Sequence, residues 1–92
     1  MDKVHTCTIE LVNRKGLHAR AAAKFVTTCE KFKADVFVAK GGVEVSACSV
    51  MGLMMLAARH GNVIEIKAKG LQAQEALEAL TDLIERRFDE DS

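Results

Sequence analysis

Along "HTCTIELV" (5–12) apolar and polar side chains alternate, with His5, Cys7, Ile9 and Leu11 on one side and Thr6, Thr8 and Glu10 on the other. A period of two places successive side chains on opposite faces, so this stretch predicts a half-buried strand. From Ala19 to about Lys31 the period changes. Ala22, Phe25, Val26 and Cys29 recur at helical spacing, opposite Lys24, Thr28 and Lys31. "ADVFVAK" and "VEVSA" flank Gly41 and Gly42. Two adjacent glycines between apolar-rich runs predict a hairpin, because glycine accepts the positive φ that such turns require.

"SVMGLMMLAARHG" (49–61) reads as a short helix, with Ser49 as N-cap, Arg59 and His60 in the last turn and Gly61 as its stop. "VIEIKAKG" alternates again and would bury Ile64, Ile66 and Ala68. A last helix runs from about Ala73 to Arg87 on a stripe of Ala76, Leu77, Leu80, Leu83 and Ile84. "DEDS" then reads as a solvated acidic tail. The predicted order is β-α-β-β-α-β-α, an α+β fold spanning 1–92 as one domain. Each helix has one apolar stripe, so all three can cover one face of a four-stranded antiparallel sheet while the other face stays wet.

Charge and composition narrow the function. Thirteen basic and thirteen acidic side chains cancel, so no global field favours nucleic acid or an anionic membrane. The longest apolar run, around Val50 to Ala58, is far below the roughly 20 residues of a membrane span. Nothing at the start reads as a signal peptide, which points to the cytoplasm. Cys7, Cys29 and Cys48 are odd in number and lack CxxC spacing, so they are expected to be small buried thiols, with no metal site and no cofactor. His5 with Cys7, or His18 with a distant cysteine, gives no recognisable ligand spacing. An acylphosphatase-like reading fails for want of an anion-binding loop after the first strand.

The remaining candidate is "NRKGLHARAAAKFV" (13–26), where a loop becomes a helix at His18. A lone histidine in a loop is most often surface decoration. Here Gly16 permits a sharp turn and Leu17 can enter the core, which directs His18 outward. As N-cap, His18 faces the unpaired N–H groups of Ala19, Arg20 and Ala21. Those donors and the positive helix end form an anion site and disfavour imidazolium, keeping the ring neutral and nucleophilic. Arg20 adds a planar fork matched to phosphate oxygens. Together these describe a phosphoryl acceptor.

"GLHARAAAKFV" resembles the active-site segment of the HPr family, the histidine-containing phosphocarriers of the bacterial phosphoenolpyruvate-dependent phosphotransferase system. "ACSVMGLMMLAARHG" is similar to that family's second signature, around its regulatory serine. The resemblance implies that His18 takes a phosphoryl group on Nδ1 from Enzyme I and passes it to an EIIA-type protein. It implies that Arg20 contacts the phosphate and that Ser49 is the target of an HPr kinase/phosphorylase. It also places Val50, Met51 and Met54 where the family meets its partners, with Arg20, Lys24 and Lys31 at the rim. "VMGLMML" is apolar all round, so not all of it can be buried in so small a domain. Such a protein is a shuttle rather than an enzyme with turnover of its own, and is expected to be a monomer. A regulatory module of the same fold, controlled at Ser49 with little phosphotransfer, is the alternative. Many family members carry proline after the arginine, where this chain has Ala21. That residue and the ending "ALEALTDLIERRFDEDS" look more like the nitrogen-related branch, NPr.

Overall fold

The computed structural model describes residues 3–91. Its elements follow the predicted order: β1 (His5–Glu10), α1 (Ala19–Cys29), β2 (Asp35–Lys40), β3 (Val43–Ser46), α2 (Val50–Met55), β4 (Val63–Lys69) and α3 (Ala73–Glu85). The strands form one antiparallel sheet in the order β1-β4-β2-β3. Register decides which face is buried. Ile9 opposes Ile64, Cys7 opposes Ile66, and Val38 also opposes Ile66, so these side chains share one face. Ile64, Ile66, Ala68, Val36 and Val38 are buried there beneath Ala22 and Phe25 of α1, Leu53 of α2, and Ala76, Leu80 and Ile84 of α3. The opposite face carries Thr6, Thr8, Glu65, Lys67 and Glu44, with Lys67 Nζ 3.0 Å from Glu44 and 3.7 Å from Glu65. This is an open-faced α/β sandwich with all three helices on one side.

The β2–β3 hairpin turns at Gly41 (φ 56°) and Gly42 (φ 85°), the two positive values of a type I′ turn. Among the described residues, no helix is long and apolar enough to cross a membrane.

Three expectations need correction. First, α2 ends at Met55 with Leu56 as C-cap, so Arg59 and His60 lie in a loop instead of a last helical turn. Ala57 leaves the helical region at φ 49°. The carbonyls of Leu56 and Ala57 accept from Lys40 Nζ at 3.1 and 3.2 Å, and that of Ala58 accepts from the Leu17 N–H at 2.9 Å. Long-range partners thus replace helical ones. Second, only Cys29 is buried, while Cys7 is half-buried and Cys48 exposed. Third, the acidic tail is not simply solvated. After α3, Arg87, Phe88 and Asp89 take φ of 58°, 54° and 61°, a left-handed turn that buries Phe88 completely and folds the chain back. Glu90 becomes half-buried, Asp89 and Asp91 stay exposed, and Ser92 lies outside the described residues.

Candidate functional site

Gly16 sets the geometry from which the site is built. Its φ of 62° suits glycine, and a Cβ there would lie 2.5 Å from the Ala58 carbonyl oxygen and 2.7 Å from Arg59 Cα. No other residue fits. The turn sends Leu17 into the core at 4 % exposure and anchors it through the Ala58 carbonyl. His18 follows as the N-cap of α1, in extended backbone with φ −77° and ψ 178°, its carbonyl accepting from the Ala22 N–H at 2.8 Å. Its imidazole makes no capping hydrogen bond, so the first-turn N–H groups of α1 keep no side-chain partner from the cap.

His18 opens on a depression of about 590 Å³ lined by the basic Lys15, Arg20 and Lys24 and the acidic Asp89, Glu90 and Asp91. Arg20 is exposed and forms no ion pair among the described residues. Lys24 is half-buried, and its Nζ donates to the Phe88 carbonyl at 2.5 Å, which ties α1 to the tail. It is therefore engaged within the fold as well as lying beside the site.

Two functional neighbours of His18 escape sequence reasoning. Glu90 meets His18 Nε2 with one carboxylate oxygen and accepts from Asn13 Nδ2 at 3.1 Å with the other. Asn13 is fully buried and also donates Nδ2 to the Gly16 carbonyl at 2.7 Å. Burial of the Glu90 carboxyl would by itself raise its pKa. Hydrogen bonds from His18 and Asn13, with the charge of Lys15 and that of the His18 ring whenever it is protonated, outweigh that and hold it below the ordinary carboxylate value. An asparagine three residues before a turn glycine is the one local signal for Asn13. For Glu90, 72 residues from His18 in the chain, there was none.

Ser49 lies where the sequence puts it, as the N-cap of α2, its Oγ accepting from the Gly52 N–H at 2.9 Å. Beyond it α2 is divided. Leu53 and Leu56 are buried and Val50 packs partly against the core, whereas Met51 (71 % exposed), Met54 (42 %) and Met55 (77 %) face outward.

Residues 5–86 match the family described as the PTS HPr component phosphorylation site. The HPr of Neisseria meningitidis serogroup A is 51 % identical over 83 residues, covering 90 % of this chain and 93 % of that protein. The NPr of Shewanella violacea is 39 % identical over 84 residues, 91 % of this chain and 92 % of that one. A crystal structure of HPr from Thermoanaerobacter tengcongensis superposes with a TM-score of 0.92 at 45 % identity, over 96 % of this chain and 99 % of that one. Fold and sequence converge over nearly the whole length: this chain belongs to the HPr family of phosphotransferase-system phosphocarriers.

Proposed function

We propose that His18 is the residue on which this phosphocarrier holds its cargo, accepting a phosphoryl group at Nδ1 from phospho-Enzyme I and yielding it to an EIIA-type protein. One observation carries the reading. His18 stands at the N-terminus of an eleven-residue helix, over an open depression lined by Lys15, Arg20 and Lys24 together with Asp89, Glu90 and Asp91. Backbone donors and the helix dipole favour an anion at that point, and the Arg20 guanidinium, which forms no ion pair among the described residues, adds a cation there beside the carboxylates that share the depression. Because the depression is open, the phosphate is steadied without being enclosed, as a carrier that must release its load requires. The Arg20 guanidinium is the group matched to two phosphate oxygens at once.

Incubation with phosphoenolpyruvate and Enzyme I tests this directly. An acid-labile adduct is expected on His18, transferable to an EIIA-type protein and absent in His18→Ala. That variant should stay folded and lose only about 1–3 kcal/mol of stability, since the lost side chain makes one part-buried hydrogen bond to a carboxylate. Phosphorylation persisting in His18→Ala would overturn the reading. Comparing transfer rates to sugar-type and nitrogen-type EIIA proteins then assigns the branch.

A further inference from the structure

The chain beyond α3 is built into the site. Phe88, 0 % exposed, anchors the left-handed turn in the core, and the Lys24 ammonium holds its carbonyl. This fixes the strap so that Glu90 arrives at His18 and Asn13 together. The Asn13 amide in turn spans the carbonyl of Gly16 and the carboxylate of Glu90, linking the loop that orients His18 to the tail that covers it. Both attachments of Glu90 are specific, and its side chain is only 15 % exposed.

A carboxylate can only accept hydrogen bonds, so its partner nitrogen must carry the proton. With Nε2 occupied in this way, the neutral ring holds its lone pair on Nδ1, the nitrogen that makes no capping hydrogen bond. We propose that Glu90 is the positioning residue of this site: it fixes His18 as the Nε2–H tautomer and stays paired with the ring while Nδ1 is phosphorylated. The inference rests on His18 as the phosphoryl acceptor.

The step balances without a proton leaving the ring. The Nδ1 lone pair forms the new N–P bond, and the donor's bond to phosphorus breaks with its electron pair returning to the donor. Nε2 keeps its hydrogen, so the ring becomes a cation, which the Glu90 carboxylate faces directly. On transfer to the recipient, the N–P electron pair returns to Nδ1 and the same tautomer reappears. The logic is that of a carboxylate orienting a catalytic histidine and offsetting its transient charge.

The test uses the full chain labelled with ¹⁵N. In unphosphorylated wild type at neutral pH, the His18 nitrogens are expected to show a protonated Nε2 and a bare Nδ1. In Glu90→Ala that signature should give way to a tautomer mixture. The initial rate of phosphorylation by Enzyme I should fall about tenfold or more, in kcat and not in KM for Enzyme I. Glu90→Asp should recover part of both, which a merely structural contact would not predict. A wild-type ring protonated on Nδ1, or Glu90→Ala with unchanged tautomer and rate, would overturn the proposal. Since the tautomer is read without Enzyme I, failure here is separable from failure of His18 as acceptor.

Discussion

Arg20 and Lys24 stand four residues apart on α1, one turn from each other, yet they have different tasks. The Lys24 ammonium is engaged by the Phe88 carbonyl, whereas the Arg20 guanidinium is exposed at the rim of the depression. Arg20→Ala should therefore slow phosphoryl transfer while leaving the melting temperature in place. Arg20→Lys should rescue only part of the rate, since an ammonium cannot make a two-point contact. Full activity in Arg20→Ala, measured as initial rate with Enzyme I, would refute a phosphate role. The cysteines sort by environment in a similar way. Burial, with the adjacent Cys48 and then Glu30, pushes the Cys29 thiol up to about 12. The thiolate is the reactive form, so iodoacetamide at pH 8 should label exposed Cys48 first and spare Cys29. Peptide mapping by mass spectrometry reads the order, and early labelling of Cys29 would contradict its burial.

Among the elements, those specified by neighbours in sequence were legible and those specified from afar were not. The alternation in β1 and β4, the Gly41–Gly42 turn and the stripes of α1 and α3 are local patterns, and each element formed where its pattern lies. So did the loop-to-helix junction at His18, because Gly16 and Leu17 act within three residues. The early end of α2 was hidden, because it depends on Lys40 and on the Leu17 N–H. The tail was hidden for the same reason, its course being set by where Phe88 finds a place. Three consecutive left-handed residues cost on the order of 1–2 kcal/mol each, and burial of Phe88 offsets them. Phe88→Ala is expected to destabilise the domain by about 3–5 kcal/mol in denaturant unfolding and to release Glu90 from His18. Acid should release it as well. Because the native carboxyl is held below its ordinary value, Glu90 contributes stability above the ordinary carboxylate range. That contribution disappears as pH falls through the lowered native value. The gap in melting temperature between wild type and Glu90→Gln should close over that window, and a gap that widened in acid would contradict it. At α2, Ser49→Asp retains an N-cap acceptor and adds charge at the favourable helix end. Its melting temperature should hold or rise slightly, while phosphorylation of His18 by Enzyme I slows, because a carboxylate stands beside Val50 and Met51. Unchanged transfer would leave Ser49 as a helix cap alone.

For the whole molecule, the sandwich presents two unlike surfaces. The wet face of the sheet is laced with Lys67, Glu44 and Glu65, while the apolar exposure of α2 is concentrated at Met51, Met54 and Met55. On the proposed function, methionines on one short helix would offer an adaptable contact to more than one partner. Met51→Lys with Met54→Lys should therefore raise KM for Enzyme I and for the recipient alike without altering the fold. The Leu17–Ala58 hydrogen bond, with Gly16 seated against Ala58 and Arg59, pins the loop that presents His18 to the chain leaving α2. Imidazole and methionine surface are therefore held as one piece. A protein that settled on the methionines to reach the histidine would cover what the next protein needs, so donor and recipient are expected to exclude each other. The relay would then run by turns, with a free, loaded carrier diffusing between two encounters, and its kinetics should show parallel double-reciprocal lines and inhibition by excess of either unloaded partner.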